Sequence, residues 1–244
     1  MKTPPAIKSL AKTLGDPVFW ALSSAELSAL LTRFPDNAGG DILTMTKEYR
    51  GRGWYKRIRS LQVEEEFRRL ADWAASQTPR IVIEIGTASG GTLLMWARIA
   101  TERVISIDLP GGIHGGGYPE QKARLFKAFV RGRPNVTINL IRANSHEQTT
   151  RDRVGGLLGP ARADILFIDG DHRLEGVTRD FELWRDLVRP GGHIVFHDVL
   201  YHPRTPSAQV DQLWNDLKKR HHGRTQEIIE SPDQGWAGIG ILEV

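Results

Sequence analysis

Acidic and histidine residues follow two short apolar runs of this sequence, and such residues can bind a metal ion or move a proton. Asp169, Asp171 and His172 come after the first run, and His197 and Asp198 come after the second. If the two runs are neighbouring strands of a parallel sheet, which lie about 4.8 Å apart, these side chains converge at one edge. Carboxylates that meet without a nearby Lys or Arg need a cation, a shared proton or water. We therefore predict a divalent metal here; the alternative is a buried polar residue beside a loop pair.

A glycine turn earlier in the chain could hold a nucleoside. A run of β-branched residues ends at Ile85, and Gly86 is followed by Ser89, Gly90 and Gly91 and then by an apolar run. Glycine allows a sharp turn and the close approach of a ligand, and a helix start presents free N–H groups. A strand, a turn and a helix in this order place the turn where open α/β sheets bind nucleotides.

Two acids indicate which kind of nucleoside this turn accepts. Asp108 ends a second apolar run 22 residues after Gly86, about the interval at which a carboxylate binds ribose hydroxyls. The spacing from Gly86 to Gly90 lacks the paired glycines that seat a pyrophosphate. Glu84 would repel a phosphate but attract an ammonium or sulfonium group. We therefore expect a positively charged nucleoside, and an NAD-dependent oxidoreductase fits poorly.

These motifs resemble the class I S-adenosylmethionine-dependent methyltransferases, over roughly residues 60–244. The segment with Glu84, Gly86 and Gly90 is similar to their first motif, and Asp108 is similar to their ribose-binding acid. The resemblance implies S-adenosyl-L-methionine as cofactor. The cofactor-binding residues that it implies are Glu84, Gly86, Thr87, Ser89, Gly90, Gly91, Asp108, Ser145, His146 and Asp169.

The ends of the predicted fourth and fifth strands resemble the metal-binding motifs of catechol-type and caffeoyl-CoA-type O-methyltransferases. This resemblance implies that Asp169, His197 and Asp198 hold Mg²⁺, or Mn²⁺ or another divalent metal. A His-Asp pair stands where those families have Asp-Asn, so Asp171 is an alternative to His197 as ligand. An imidazole would shift the preference from Mg²⁺ toward Mn²⁺, Fe²⁺ or Zn²⁺.

The same families carry a Lys or His three residues after the first metal ligand, and here that residue is His172. An imidazole with a pKa near neutrality suits a general base, so His172 and Asp169 are the predicted catalytic residues. A helix-capping or surface histidine is the alternative. The stretch from Asp169 to Asp180 most resembles enzymes that tailor sugars and antibiotics.

The resemblance implies a metal-dependent O-methyltransferase acting on a hydroxyl of a small natural product, such as a sugar or glycosylated acceptor. A metal-independent or nitrogen-directed methyltransferase is the first alternative. A nucleoside-binding module without turnover is the second. Activity that survives a chelator would favour the first alternative, and tight cofactor binding without methyl transfer would favour the second.

The elements that must position these residues alternate along the chain, which predicts a mostly parallel sheet covered on both faces. The resemblance implies a Rossmann-like α/β fold with seven strands, the last two forming an antiparallel hairpin. Predicted strands are 81–85, 104–108, 136–141, 164–169, 192–197, 225–230 and 237–243. Predicted helices are 62–76, 90–101, 119–131, 147–157, 174–187 and 207–220.

Residues 1–59 do not follow this alternation, and we predict that they form a helical appendage or lid on a methyltransferase core of residues 60–244. Apolar residues at helical spacing predict a helix from Pro17 to Phe34, and the segment Asp36–Gly40 predicts a break. The loop Gly111–Gly117 should lie over the nucleoside or form a surface loop. The loop Tyr201–Ser207 should border the acceptor pocket, and Trp214 is predicted in the core.

The composition limits the remaining functions. The chain has 244 residues and no cysteine, which excludes disulfides, thiolate zinc sites and cysteine nucleophiles. No apolar run reaches the roughly 18 residues that span a bilayer, so we expect a cytoplasmic protein without a membrane partner. The basic cluster Arg50–Arg59 favours a solvated lid over a nucleic-acid interface. The expected partner is a small hydroxylated acceptor, and a homodimer is left open.

Overall fold

A seven-stranded sheet with helices on both faces forms the centre of the protein. The computed structural model describes residues 13–35, 39–111 and 117–244. Its α-helices are α1 (Asp16–Arg33), α2 (Gly39–Glu48), α3 (Glu64–Ser76), α4 (Gly91–Ile99), α5 (Ala123–Lys127), α6 (Gln148–Leu158), α7 (Leu174–Trp184) and α8 (Val210–Arg220). Its strands are β1 (Ile81–Ile85), β2 (Arg103–Asp108), β3 (Thr137–Arg142), β4 (Ala163–Ile168), β5 (Val188–His197), β6 (Thr225–Ile228) and β7 (Ile239–Glu243).

The strand order is β3-β2-β1-β4-β5-β7-β6. Strands β1 to β5 pair in parallel, and β7 runs antiparallel to both β5 and β6. The predicted Rossmann-like sheet with a terminal hairpin is therefore confirmed. The strand order reverses between β1 and β4, and open α/β sheets bind ligands outside the carboxyl ends of the strands at such a point.

Each face of the sheet carries its own hydrophobic core. Strand β1 is buried on both faces, which explains why its residues other than Glu84 are all apolar instead of alternating with polar ones. On one face, Leu27 and Ile42 of the N-terminal helices belong to the same cluster as Leu94 and Trp96 of α4. The N-terminal helices therefore pack against the sheet's own covering layer, and the boundary after residue 59 stays a prediction. Trp214 is buried in the other core, as predicted.

Most predicted elements differ from the observed ones by a few residues at their ends, and three of the differences stand out. The predicted break at 36–40 ends earlier than expected, because Gly39 begins α2 and donates its N–H to Asp72 Oδ1 at 2.9 Å. The predicted helix at 119–131 is only Ala123–Lys127, with a 3₁₀ turn at each end. Strand β5 begins at Val188 instead of 192, because its pairing with β4 shifts register and absorbs the glycine turn.

Two further observations bear on the sequence predictions. None of the helices in the described ranges is both long enough and apolar enough to cross a membrane. Most of the predicted glycine-rich loop, residues 112–116, lies outside the described residues.

Candidate active site

The acidic and histidine residues converge at the carboxyl ends of β4 and β5, as the sequence predicts. Ile168 pairs with Phe196, so the residues that follow them on the two strands lie side by side. We call Asp169, His172, His197 and Asp198 the His/Asp cluster. Its ring and carboxylate atoms are in direct contact. Asp169 Oδ1 lies 3.1 Å from His172 Nε2 and 3.0 Å from His197 Nδ1, and Asp198 Oδ2 lies 2.6 Å from His172 Nδ1.

The charges of this cluster compensate one another. Burial opposes the charged form of His172, but hydrogen bonds to Asp169 and Asp198 outweigh it and raise its pKa to about 10. Burial likewise opposes ionisation of Asp169 and Asp198, but the charge of His197 and hydrogen bonds from His172 hold both carboxyl pKa values below their usual range. In this arrangement, without a cation, the cluster contains two carboxylates and a protonated His172, and the same carboxylates raise the pKa of His197.

The donor set of the cluster fits a divalent cation. Asp169, His172 and His197 each offer a ligand atom, and these three atoms lie within 4.8 Å of one another. One carboxylate oxygen with two imidazole nitrogens suits Mn²⁺, Fe²⁺ or Zn²⁺ better than Mg²⁺. This geometric set contains His172 where the sequence predicts Asp198. The predicted metal ligands therefore stay a prediction.

Asp171 does not join the cluster. Its carboxylate accepts hydrogen bonds from the backbone N–H of Arg173 at 3.0 Å and from Arg173 Nη2 at 2.5 Å. A guanidinium two residues away therefore satisfies this acid, contrary to the expectation that no Arg lies nearby.

Two residues that sequence reasoning missed complete the surroundings of the cluster. The amide of Gln62 donates to Asp169 Oδ2 at 2.6 Å, although the two residues are 107 positions apart. His202 Nε2 accepts the N–H of Ala237 at 3.1 Å and lies 3.3 Å from Asp198 Oδ1. Asp198 itself has a φ of 63°, a left-handed conformation that Asp tolerates better than most residues.

The glycine turn lies beside the cluster. Close packing within the protein leaves no room for a side chain at Gly86 or Gly90. Gly86 has a φ of 99°, and a Cβ there would overlap the carbonyl oxygen of Asp169. A Cβ at Gly90 would overlap the ring of Phe126. Gly91 donates its N–H to the carbonyl of Arg59 at 3.1 Å. The N–H of Gly91 is therefore already used within the protein, whereas the sequence argument assigned it to a ligand.

Glu84 is a buried acid next to this turn. Its side chain is fully buried, and Ser106 Oγ donates to Oε2 at 2.6 Å. Among the described residues, the other oxygen, Oε1, has no partner in full hydrogen-bond geometry, although the nearby hydroxyl of Thr92 favours the charged form of this carboxyl. Burial raises the pKa of Glu84 to about 8. Thr87 Oγ1 lies 2.5 Å from Ser106 Oγ, so Thr87 belongs to the same network.

Asp108 occupies the predicted place at the end of β2. Its Oδ2 accepts the N–H of Ala88 at 2.9 Å, and burial raises the pKa of this carboxyl to about 6. Ser89 follows Ala88 in the turn between β1 and α4, and its side chain is partly exposed. A buried orphan oxygen on Glu84 and an acid at the end of β2 fit a nucleoside that carries an ammonium group and ribose hydroxyls.

The predicted adenine loop packs against α7. The carbonyl of Ser145 accepts the N–H of Trp184 Nε1 at 2.9 Å. His146 Nε2 lies 3.5 Å from Oδ1 of Asp180, a fully buried acid whose hydrogen bond raises the pKa of His146. The described contacts of Ser145 and His146 are thus structural, and their role toward a cofactor stays a prediction.

Comparison with known proteins finds one matching domain family. Residues 83–199 match the family described as "Methyltransferase domain". The chain is 36% identical over 139 residues to an uncharacterized protein of Acanthamoeba polyphaga mimivirus, which corresponds to 56% of this chain and 60% of that protein. The chain therefore spans less than two thirds of the length of this curated relative.

Solved structures share the fold at low sequence identity. The O-methyltransferase from Bacillus cereus in complex with S-adenosylhomocysteine superposes with a TM-score of 0.54 at 17% identity, covering 90% of this chain and 91% of that one. The O-methyltransferase TomG from Streptomyces achromogenes, solved with S-adenosylmethionine, superposes with a TM-score of 0.51 at 22% identity, covering 72% and 77%. At these identities the likeness establishes the fold.

Proposed function

We propose that this chain, in which residues 83–199 form a methyltransferase domain, transfers a methyl group from S-adenosyl-L-methionine to a hydroxyl of a small acceptor, assisted by a divalent cation. One observation carries the proposal. The glycine turn and the His/Asp cluster meet through the backbone, because Asp169 donates its N–H to Ile85 at 2.8 Å and its carbonyl faces Gly86. A cofactor at the turn and an acceptor at the cluster would therefore be neighbours.

The chain's own residues would hold the cofactor at two ends. The free Oε1 of Glu84 would accept a hydrogen bond from the ammonium group, and Asp108 would accept bonds from the ribose hydroxyls. The sulfonium of the cofactor supplies the methyl group. Burial at Glu84 strengthens its attraction for a positive charge, because the surrounding dielectric is low.

The cluster would prepare the acceptor. Asp169 and Asp198, with His197, would hold the cation, which supplies positive charge that lowers the pKa of an acceptor hydroxyl. A bound cation would neutralise the two carboxylates that now hold a proton on His172, so that the ring could lose this proton and then take the one from that hydroxyl. Gln62 keeps one oxygen of Asp169 occupied and so fixes the orientation of the carboxylate.

We propose that the acceptor is a small natural product. The likeness of residues 169–180 to tailoring enzymes supports a sugar or a glycosylated compound. We also propose a cytoplasmic location, and a homodimer because the methyltransferases that the chain resembles are often dimers.

A metal-independent methyltransferase is the second candidate, and one observation favours it. The carboxylate oxygens of Asp169 are already met by two imidazoles and by the amide of Gln62. A cluster whose charges are compensated in this way could position an acceptor and exchange its proton without a cation.

The two candidates differ in their response to a chelator. Release of S-adenosylhomocysteine is measured with a panel of hydroxylated acceptors, with and without EDTA, and after Mg²⁺ or Mn²⁺ is added back. The proposal expects activity to disappear in EDTA and to return with metal, and Asp169→Asn and Asp198→Asn to be inactive. The exposed Asp152→Asn is the matched control. Full activity in EDTA would remove the metal from the mechanism.

Cofactor binding is tested separately by calorimetry, because it needs no acceptor. Micromolar binding, about −8 kcal/mol, is expected for both S-adenosylmethionine and its demethylated product. Absence of heat for both ligands would overturn the proposed function.

A further inference from the structure

Three exposed apolar side chains are next in sequence to residues that contact the His/Asp cluster or support it. We call Leu61, Tyr201 and Trp236 the apolar rim; they are 54%, 63% and 44% exposed. Each lies one residue before a residue that is bonded toward the cluster. Gln62 donates to Asp169, and the N–H of Ala237 is bonded to His202, which lies against Asp198. Leu61 and Trp236 line the same cavity, and a shared apolar surface of this kind is typical of a binding site.

The loop that carries Trp236 is held in place by a buried carboxylate. Glu66 of α3 is fully buried, and its oxygens accept the N–H of Glu230 at 3.1 Å, the amide of Gln234 at 2.7 Å and the N–H of Gly238 at 3.0 Å. These bonds on both sides of Trp236 fix the position of its backbone. The backbone position of Trp236 is therefore set by contacts within the protein.

A cavity of about 300 Å³ lies between the rim and α2. Residues 59–62 form one wall, Trp236 another, and the end of α2 with the first turn of α3 closes the rest. Gln62 lies between this cavity and Asp169, since its amide reaches the carboxylate. A volume of this size can hold a ring-sized ligand.

The cavity has an excess of positive charge. Lys47 and Glu64 both line it and pair with each other at 2.8 Å. Arg59 also lines it, is exposed, and has no ion-pair or hydrogen-bond partner for its guanidinium within the described part of the chain. A guanidinium is always charged and matches a carboxylate with two parallel hydrogen bonds.

We propose that this cavity is an acceptor subsite for a hydroxylated compound with an apolar, ring-sized body and a carboxylate. The body lies against Leu61 and Trp236, the carboxylate pairs with Arg59, and the hydroxyl lies on the side that Gln62 closes, behind which Asp169 is found. This inference rests on the proposed function, because it concerns the acceptor of the same methyl transfer. It favours a hydroxylated acid over the sugar acceptor named above.

A matched pair of probes tests the role of Arg59. The enzyme, with cofactor and Mg²⁺ or Mn²⁺, is assayed with 3,4-dihydroxybenzoate and with its uncharged methyl ester. The wild type should prefer the acid in kcat/KM, and Arg59→Gln should lower the acid-to-ester ratio by 10-fold or more. Arg57→Gln removes the same charge two residues away and outside the cavity lining, so it should leave the ratio unchanged. Trp236→Ala should weaken both probes alike, because it removes apolar surface and no charge.

The outcomes separate this inference from the proposed function. If neither probe is methylated, both are titrated into the protein loaded with S-adenosylhomocysteine, and the ratio of their affinities replaces the kinetic ratio. Equal ratios in wild type and Arg59→Gln, or equal losses in Arg59→Gln and Arg57→Gln, would overturn the subsite. A protein that does not bind the cofactor would overturn the proposed function instead.

Discussion

Replacement of Glu84 by Gln should stabilise the protein without ligand and weaken cofactor binding at the same time. The pKa of this buried carboxyl is about 8, against 4.5 for an exposed one. The folded protein thus holds a proton that the unfolded chain releases, so stability falls as the pH rises from about 4.5 to about 8. At pH 7 this difference costs the folded state about 3 kcal/mol. A glutamine of the same shape carries no such cost.

The assay is urea or thermal unfolding of wild type and Glu84→Gln at pH 5 and pH 7. The free-energy advantage of the variant should grow by about 2.5 kcal/mol between these pH values, and its midpoint at pH 7 should lie roughly 6–12 °C higher. Titrations in the His/Asp cluster are common to both proteins and cancel in the difference. Glu175→Gln, at an exposed position of α7, is the control. Parallel pH profiles for wild type and Glu84→Gln would refute the argument.

The same variant tests the role of the orphan oxygen. A hydrogen bond from an ammonium group to Glu84 Oε1 contributes about 1.5–3 kcal/mol. Calorimetry should therefore show that Glu84→Gln binds S-adenosylhomocysteine roughly 10- to 100-fold more weakly than wild type. A variant that gains stability but loses no affinity would place the ammonium group elsewhere.

Three further changes have defined outcomes. Asp108→Ala should weaken the binding of S-adenosylmethionine and of S-adenosylhomocysteine by about 1.5–3 kcal/mol in calorimetry, because a charged acceptor for the ribose is lost. Unchanged affinity would mean that Asp108 only accepts the N–H of Ala88. His172→Ala should retain cofactor binding and lose about 10²–10⁴ in rate, the usual contribution of a positioned base. The exposed His222→Ala is its control, and a near-normal rate at pH 7 would make His172 structural. Ala88→Gly should raise the free energy of unfolding by about 1 kcal/mol, since Ala88 has a φ of 44° and glycine removes that strain; a lower melting temperature would contradict this.

The parts of the site that follow directly from strand ends could be predicted from the sequence. Apolar runs locate β4 and β5, and parallel pairing then brings Asp169 and His197 together, because both follow the carboxyl ends of adjacent strands. The turn at Gly86 and the acid Asp108 were located by the same reasoning on β1 and β2.

Contacts between distant segments could not be predicted in this way. Gln62 and His202 reach the cluster from a segment before α3 and from a loop after β5, and no spacing in the sequence records where those segments pack. The pairing of Asp171 with Arg173 is different, since the two are neighbours in sequence. That signal was present, and attention to the carboxylates alone overlooked it.

Residues 59–62 connect three places that a ligand could occupy. The carbonyl of Arg59 receives the N–H of Gly91 at the start of α4, and the amide of Gln62 holds Asp169. Both residues also line the 300 Å³ cavity. A compound that shifts this segment therefore changes the cofactor helix and the cluster together. Thermodynamic linkage then requires reciprocity: the factor by which an acceptor changes cofactor affinity equals the factor by which the cofactor changes acceptor affinity.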